Sequence, residues 1–510
     1  MAEKSRTENS ARNASVAICS RVLAILGGFV SRVVFTHTLS QEYVGINGLF
    51  NDILNVLALS ELGVGTAITF ALYKPIAEGD TERQKSLMRM YRNFYRVIAL
   101  IVLGLGLLLV PFLRYLFKEQ PQVEHLTLIY LMYLANSVLS YAFVYKRTLV
   151  DAHQLNYISV LYQTASWFAQ SVLQICVLLF TRNFILYVSV MTVCTVVHNL
   201  CISAKADRMY PYLRDREADR LPEEERKEIF RNIRAMFMHK TSTVIVNSTD
   251  NLLLSALVGI RSVSCYTNYF LIIGSVRQIL NQIFGGITAS VGNLGVESDS
   301  ERVKKIFEAA FFLDQWVFGM AAVCLYQVLN PFVEMFFGSQ FVFPASITLV
   351  LCLNFYLTGM RQATLIFRDS LGVFWYDRYK SLVEAAINLV VSLILGSRLG
   401  TIGVFIGTTV SIVTTSLWVE PYILYKHKLN CSAGKYFIRY ALYGAVTSAI
   451  WFGTDFLCRR ITGTLPTVCV LRLICCLLVT NLVYLLLYHR TAEFRLLARK
   501  ALGMIRKKRR

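Results

Sequence analysis

A series of long apolar segments, separated by short gaps rich in Lys and Arg, is the feature of this chain that most constrains its fold. A helix that crosses a bilayer needs about 20 mostly apolar residues. Segments of this kind recur from Ser15 to Tyr488. Only 16% of the residues are charged, whereas about 25% are charged in an ordinary globular protein. We therefore expect most of the chain to lie in lipid.

The apolar segments predict an all-α polytopic membrane protein with about fourteen transmembrane helices. Six helices form a first lobe, six form a second lobe, and two more follow at the C-terminus. The predicted spans are residues 15–35, 43–73, 97–116, 126–145, 157–180, 184–204, 233–258, 263–291, 306–329, 345–365, 382–395, 402–425, 440–457 and 468–488.

This pattern divides the chain into five parts. They are the first lobe (1–204), a charged cytoplasmic linker (205–232), the second lobe (233–430), the two extra helices (431–489) and a basic tail (490–510). In the tail, Phe494, Leu497 and Ile505 fall at helical spacing beside basic residues. This favours an amphipathic helix on the anionic cytoplasmic leaflet. A solvated, frayed tail is the alternative.

Lys and Arg indicate the orientation of the chain. They are concentrated in alternate gaps between the predicted helices, and such gaps face the cytoplasm. Both termini are therefore predicted to lie on the cytoplasmic side of an inner membrane. A net charge of +20 can also indicate nucleic acid, but the basic residues lie between apolar segments, so no nucleic-acid partner is predicted. Arg21 and Arg32 interrupt the first apolar segment, which disfavours a removable signal peptide.

Short motifs repeat along the chain at an offset of about 220 residues. Residues 81–85 (TERQK) recur as 300–304 (SERVK), and Pro111-Phe112 recurs as Pro331-Phe332. Such parallel repeats are typical of transporters whose two lobes are related by a pseudo-two-fold axis along the membrane normal. The expected mechanism is alternating access, with the substrate bound between the lobes near mid-membrane.

Ionisable side chains are costly inside a membrane, so those within the predicted helices are candidate site residues. Four cations within these helices are the candidates: Arg21 and Arg32 in the first helix, Lys240 in the seventh and Arg277 in the eighth. Arg277 is near mid-depth and is expected to line a cavity. Arg32 and Lys240 lie nearer the membrane surfaces, and side chains that extend to water are their alternative interpretation.

Amides and carboxylates are concentrated on three of the predicted helices, and several of them share a helix face. They are Asn47, Asn51, Asn55, Asp52 and Glu61 on the second helix, Asn247, Asp250 and Asn251 on the seventh, and Asn281 beside Arg277 on the eighth. Hydrogen bonds that only hold the bundle together are one interpretation. A polar cavity shared by the first, second, seventh and eighth helices is the other.

The residue types favour an anionic lipid with a glycan headgroup as the substrate. Cations bind phosphate or carboxylate, amides bind sugar hydroxyls, and aromatic rings stack on sugars. Four sequence stretches can be compared with known families: residues 43–50 (YVGINGLF), 61–67 (ELGVGTA), 72–76 (LYKPI) and 248–255 (STDNLLLS). They resemble bacterial polysaccharide flippases (Wzx-like) of the multidrug/oligosaccharidyl-lipid/polysaccharide (MOP) exporter superfamily. The helix number and the two lobes are similar over the whole chain.

The resemblance implies that the chain moves a polyprenyl-pyrophosphate-linked oligosaccharide to the outer leaflet, for surface polymers such as capsule or lipopolysaccharide. The intramembrane cations would hold the pyrophosphate and the Asn residues would hold the sugars. The three carboxylates would bind H⁺ or Na⁺ as a coupling ion, or would pair with the cations. Membrane lipids and other polysaccharide-assembly proteins are expected partners.

Other functions are compatible with the sequence. They are a lipid II flippase, an H⁺- or Na⁺-coupled drug antiporter of the same superfamily, a polysaccharide polymerase, and a non-catalytic assembly protein. The intramembrane cations disfavour an antiporter for cationic drugs, and the short outer gaps disfavour a polymerase. The His and Cys residues show no metal-ligand spacing, and the chain has no phosphate-binding Gly-rich loop. No catalytic residue, metal or organic cofactor is therefore predicted.

Overall fold

Helices make up the secondary structure of this chain in the part that the computed structural model describes. That part comprises residues 6–499 apart from 59–63, 142–143, 154, 215–220, 228, 232, 234–248, 298–299, 372, 374–375 and 378. Within these ranges the chain forms α-, 3₁₀- and π-helices and no strand. The predicted all-α fold class is therefore confirmed.

The chain forms two compact units, unit 1 (Met1–Ser264) and unit 2 (Cys265–Arg510). The helices of unit 1 are α1 (Arg6–Thr38), α2 (Gln41–Leu57), α3 (Val64–Glu78), α4 (Thr81–Leu109), α5 (Leu126–Ser140), α6 (Val144–Ala152), α7 (Asn156–Thr181), α8 (Phe184–Met209) and α9 (Thr249–Val258). A 3₁₀-helix, Val110–Leu116, extends α4. Its second residue is Pro111, which has no backbone N–H to donate to a helix.

The helix α10 (Ile260–Glu297) begins in unit 1 and continues into unit 2. The other helices of unit 2 are α11 (Ser300–Asp314), α12 (Met320–Phe337), α13 (Ala345–Gly359), α14 (Gln362–Ser370), α15 (Lys380–Leu399), α16 (Thr401–Ser411), α17 (Leu417–Leu424), α18 (Gly434–Cys458) and α19 (Leu465–Tyr488). Short π-helices join α11 to α12 (Gln315–Gly319) and α16 to α17 (Ile412–Ser416).

Nine helices of the described part are long and apolar enough to cross a membrane. The helices α5 and α6, which meet at a bend of 41°, make a tenth if they form one span. The chain is thus a multi-pass membrane protein, and the number fourteen stays a prediction. The predicted span 382–395 lies within α15, which has 20 residues. The predicted span 43–73 contains α2 and the first part of α3.

The division between the units falls after α9, whereas the sequence placed the start of the second lobe before this helix. Two hydrogen bonds tie α9 to the end of the 3₁₀-helix that follows α4, and to the loop after it, in unit 1. The Ser255 hydroxyl donates to the carbonyl of Leu116 at 2.7 Å, and the Lys118 N–H donates to the carbonyl of Ser255 at 3.1 Å. These contacts join residues that are far apart in the sequence.

The order of helices in unit 1 recurs in unit 2. The helix α5 has 15 residues and is followed by α6 with nine, and α13 has 15 residues and is followed by α14 with nine. In unit 1 an ion pair joins the nine-residue helix α6 to α8. In unit 2 an ion pair joins the residue just before the nine-residue helix α14 to α17. These pairs are Lys146–Asp207 and Arg361–Glu420, each 2.7 Å long. The repeat predicted from the motifs therefore extends to the pattern of helices and ion pairs.

The two C-terminal helices of unit 2 are held by a buried amide. Gln315, in the π-helix after α11, donates to Thr447 of α18 at 2.9 Å and to the Tyr484 hydroxyl of α19 at 3.1 Å. Its carbonyl oxygen accepts from Tyr356 of α13 at 2.9 Å. In the described beginning of the basic tail, the Phe494 ring stacks on Trp316. This part of the tail therefore packs against unit 2, and residues 500–510 lie outside the described ranges.

Candidate functional site

The predicted site residues that the structure describes lie in separate groups in the two units. Lys240, Asn247 and Glu61 lie outside the described residues. Arg21 is exposed on α1, and no ion pair joins it to another residue of the described ranges. The remaining predicted residues belong to α1, α2 and α9 in unit 1, or to α10 in unit 2.

Arg32 is partly buried on α1 and faces its own unit. Its guanidinium carbon lies 5.9 Å from the centre of the Phe35 ring. Its electrostatic neighbours are Tyr133 of α5 and Tyr187 of α8. Because these residues belong to other helices of unit 1, the Arg32 side chain lies against its own unit. Its role in binding a substrate stays a prediction.

The amides of α2 form a short hydrogen-bonded row. Asn47 accepts a hydrogen bond from the Tyr133 hydroxyl at 2.5 Å, and the Asn51 side chain donates to the carbonyl oxygen of the Asn47 backbone at 2.6 Å. Asn51 and Asn55 are exposed, whereas Asn47 is partly buried. Asn47 therefore connects α2 to α5, and the amides of Asn51 and Asn55 are the ones exposed at the surface of this helix.

A carboxylate of α2 is paired with an amide of α9. The Asn251 side-chain nitrogen donates a short hydrogen bond to Asp52. Asn251 and Asp250 are both buried, each with 7% of its surface exposed. The structure thus brings together two predicted site residues that are far apart in the chain. In the described ranges no Lys or Arg forms an ion pair with Asp52, so its partner here is neutral.

The polar face of α10 carries Arg277 and Asn281, one helical turn apart. The guanidinium of Arg277 lies 5.9 Å from the centre of the Phe355 ring of α13. The Arg277 Nε donor and the Asn281 Oδ1 acceptor are both buried, and neither has a hydrogen-bond partner among the described residues. Leaving a buried donor or acceptor unpaired costs about 1–3 kcal/mol. Such groups are where a ligand or water would be expected to bind.

The sequence analysis missed a group of buried charges in unit 2. Arg361 pairs with Glu420 at 2.7 Å and with Glu384 at 3.4 Å. Lys380 pairs with Glu384 at 3.3 Å and also contacts Glu420 closely. Arg368 lies 3.7 Å from Glu420, whose side chain is fully buried. These five residues, here called the ion-pair network, join both ends of α14 to α15 and α17.

A second missed residue is Asp314, at the end of α11. It is fully buried, and its Oδ2 atom accepts a hydrogen bond from the Ala363 N–H in the first turn of α14 at 2.7 Å. Its Oδ1 atom has no hydrogen-bond partner in the part of the chain that the structure describes. Asp314, Arg361, Glu384 and Glu420 all lie within the predicted spans. Their charge within apolar segments could therefore have identified them from the sequence. The prediction covered only charges on the first, second, seventh and eighth helices.

The site geometry offers hydrogen-bond donors and no metal-binding cluster. In the described ranges no group of three or more His, Cys, Asp and Glu side chains is arranged to hold a metal ion. Among the predicted site residues, the buried groups that lack a hydrogen-bond partner in the described ranges include the Arg277 Nε donor and the Asn281 Oδ1 acceptor on α10. The amides of Asn51 and Asn55 on α2 are exposed. This donor set suits a ligand that carries phosphate and hydroxyl groups.

Comparisons with known proteins give fold-level similarity. No family model matches the sequence, and no curated protein matches it. Among solved structures, the chain is similar to the lipid II flippase MurJ in an inward closed conformation, with a TM-score of 0.67 and 14% identity over 94% of this chain and 98% of that one.

The chain is also similar to multidrug transporters of the MATE family. An inward-facing MATE transporter of the MOP superfamily gives a TM-score of 0.61 and 16% identity, over 79% of this chain and 94% of that one. A point mutant of the Vibrio cholerae MATE transporter VcmN gives a TM-score of 0.53 and 16% identity, over 83% of this chain and 99% of that one. At these identities the likeness is one of fold, and this chain has the polytopic helical fold of a lipid flippase and of multidrug transporters of the MOP superfamily.

Proposed function

We propose that this protein is a flippase that moves a polyprenyl-pyrophosphate-linked oligosaccharide across the cytoplasmic membrane by alternating access, for surface polysaccharide export. The observation that carries the proposal is the state of Arg277. In the described ranges, the Arg277 guanidinium has a buried Nε donor without a hydrogen-bond partner, and Asn281, one helical turn away, has a buried acceptor oxygen that also lacks one. An anionic, hydroxyl-rich headgroup supplies both missing partners.

The energetic need for cations follows from the substrate. Moving a bare phosphate charge into hydrocarbon costs tens of kcal/mol by a Born estimate. A guanidinium replaces part of the lost hydration by charge-assisted hydrogen bonds to phosphate oxygens. Arg277 in unit 2 and Arg32 in unit 1 are the described cations proposed for this role. The exposed amides Asn51 and Asn55 are proposed to contact the sugars.

Asp52 is the described residue proposed to couple transport to a gradient of H⁺ or Na⁺. Its carboxylate is hydrogen bonded to an amide of Asn251 and, in the described ranges, to no cation. A carboxylate with neutral partners can gain and lose a proton or a monovalent cation without breaking an ion pair. This supports Asp52 as a coupling residue over the alternative that it only neutralises a buried cation.

A lipid II flippase is the second candidate, because the chain is similar to MurJ over nearly the whole of both chains. In both candidate functions the substrate is a glycan linked to a lipid by pyrophosphate, which the same hydrogen-bond donors would bind. The two substrates differ only in their sugars. A MATE-like drug antiporter has the same fold, but the unpaired donor of Arg277 disfavours a cationic drug. The two flippase candidates therefore come before it.

Deletion of the gene, followed by analysis of lipid-linked sugars, tests the proposal. A polysaccharide flippase predicts that a complete glycan–lipid accumulates on the cytoplasmic leaflet while peptidoglycan synthesis continues. Accumulation of lipid II would instead assign the second candidate. Unchanged glycan–lipids with altered dye efflux would contradict both. Complementation with the wild type should restore export, and Arg277→Ala, at matched protein level, should not.

A further inference from the structure

A pocket that contains several polar side chains, and that none of the predicted site residues line, lies within unit 1. It has a volume of about 270 Å³ and is lined by the end of α5 and by α6, α7 and α8. Its polar lining includes Arg147, Gln163, Ser166, Gln170, His198 and Asn199. The helices α7 and α8 are both apolar enough to cross a membrane. Polar side chains concentrated between such helices are costly unless they have partners or a ligand.

Arg147 supplies the positive charge of this pocket. Its Nη2 atom donates to Gln163 Oε1 at 2.9 Å, which orients the guanidinium towards the pocket. The nearest carboxylate is Asp151, whose Oδ2 atom lies 3.8 Å from Nε, beyond hydrogen-bond distance. Asp151 does not line the pocket. In the described part of the chain no side chain accepts from Nη1, so donors remain for a ligand.

The other polar groups are held in place by bonds within the unit. His198 and Ser166 share a hydrogen bond of 3.2 Å between Nδ1 and Oγ. The Asn199 side chain donates to the carbonyl of Leu139 at 2.9 Å. Trp167 also lines the pocket, and its ring lies so close to Gly27 of α1 that a Cβ there would be 2.6 Å away. The pocket is therefore preformed by α1, α5, α7 and α8.

The size and charge of the pocket select the class of ligand. Pockets for drug-sized molecules have volumes of about 300–1,000 Å³, so one of 270 Å³ suits a small headgroup and not an oligosaccharide. The pocket presents one guanidinium and neutral hydrogen-bonding side chains, while Asp151, the carboxylate nearest to Arg147, lies outside it. This lining matches a phosphate diester that carries one negative charge. Basic pockets between transmembrane helices on the cytoplasmic side are known to hold anionic lipid headgroups. The Lys and Arg pattern predicts that Arg147 lies on that side.

We propose that this pocket binds the phosphate-bearing headgroup of an anionic membrane phospholipid, with Arg147 as the anion-binding residue and Gln163, Ser166 and His198 as neutral hydrogen-bonding partners. The site is separate from the residues assigned to the transported substrate. The proposal therefore goes beyond the proposed function and stands or falls without it.

Lipid binding to the purified full-length protein in a neutral detergent tests the proposal. The probes are dihexanoyl-phosphatidylglycerol, dihexanoyl-phosphatidylcholine and sn-glycerol 3-phosphate, and the readouts are bound lipid by native mass spectrometry and the thermal unfolding midpoint. Arg147→Gln removes the anion-binding charge. Thr195→Phe fills the pocket without changing any charge, since Thr195 also lines it. Arg208→Gln, at the exposed end of α8, is the control for net charge.

The expected result is that phosphatidylglycerol binds and raises the unfolding midpoint of the wild type and of Arg208→Gln. Its affinity should fall about tenfold or more in Arg147→Gln, the loss expected for a charge-assisted hydrogen bond, and in Thr195→Phe. Phosphatidylcholine should bind more weakly throughout. Equal phosphatidylglycerol affinity in Arg147→Gln and Arg208→Gln, or equal affinity for the two lipids, overturns the anionic site. Binding of glycerol 3-phosphate as tight as that of the lipid overturns the membrane as its source.

Discussion

The functional proposal depends on a few buried polar side chains within the helices. Arg277 and Asn281 were predicted from their position in an apolar helix, and the structure leaves a buried donor and acceptor on them without described partners. The sequence also predicted that Asp52 and Asn251 matter. It could not predict that they bond to each other, because α2 and α9 are nearly 200 residues apart in the chain and only the fold brings them together.

Asp314 gives a stability prediction at the scale of one residue. Its Oδ2 atom accepts the hydrogen bond of the Ala363 N–H, which is one of the donors that an α-helix leaves unpaired at its start. Asp314→Asn keeps an acceptor oxygen at this place and should change the unfolding midpoint little. Asp314→Ala removes the acceptor, and should lower the free energy of unfolding by about 1–3 kcal/mol.

Thermal unfolding of the two Asp314 variants in one detergent checks this prediction. Exposed Glu334 of the neighbouring α12 provides the control, since Glu334→Ala removes a carboxylate that is not buried. Similar midpoints for Asp314→Asn and Asp314→Ala would show that the hydrogen bond to α14 contributes nothing. The outcome does not depend on what the protein transports.

At the scale of helices, the ion-pair network holds α14, α15 and α17 together. Glu420 is the shared anion of Arg361, Lys380 and Arg368. Removing one partner of a buried ion pair is strongly destabilising, by about 3–5 kcal/mol, because it leaves the other charges uncompensated. Glu420→Gln, which keeps the size of the side chain, should therefore cause a large fall in the unfolding midpoint.

The control for Glu420→Gln is Glu334→Gln, which alters an exposed carboxylate of the same unit. The two variants are compared by thermal unfolding and by the yield of monodisperse protein. If Glu420→Gln unfolded at the temperature of Glu334→Gln, the network would not stabilise this end of unit 2. A fall confined to Glu420→Gln is the expected result.

The turn between α15 and α16 lies four residues beyond the predicted end of this span. The sequence analysis ended this span at Leu395, whereas the helix continues to Leu399 and the chain reverses at Gly400, whose φ is +67°. Gly403 then approaches α15 so closely that a Cβ would lie 2.1 Å from the carbonyl oxygen of Leu395. Small residues at helix contacts of this kind allow close packing in membranes.

Gly403→Ala should therefore separate α15 from α16 and lower the unfolding midpoint. Gly444→Ala in α18 is a matched control, because a Cβ at Gly444 has no atom within 4 Å. Alanine is favoured over glycine within a helix by about 1 kcal/mol, so this control should be neutral or slightly stabilising. A neutral Gly403→Ala would contradict the close approach of the two helices.

For the whole molecule, the apolar segments predicted the fold class correctly, because lipid admits few other structures for a chain of this kind. The orientation predicted from Lys and Arg stays a prediction. The motif repeats indicated a recurring pattern of helices, and this pattern is present in the two units. The position of α9 could not be predicted, since it depends on hydrogen bonds to the distant Leu116 and Lys118. Which headgroup the protein binds depends on its site and not on its fold, because flippases and drug transporters share this fold.

In the proposed function, positively charged side chains within the helices bind the anionic headgroup of the glycan–lipid while it crosses the membrane. A flipping assay tests this role in proteoliposomes that contain a fluorescent undecaprenyl-pyrophosphate oligosaccharide, with leaflet location read by an impermeant quencher. Wild type and the adjacent surface variant Gln278→Ala should equilibrate the lipid between leaflets. Arg277→Ala should not, and Arg277→Lys should do so only slowly, since lysine keeps the charge but lacks the planar donor group. Flipping by Arg277→Ala at the wild-type rate, with the same amount of folded protein, would contradict the account.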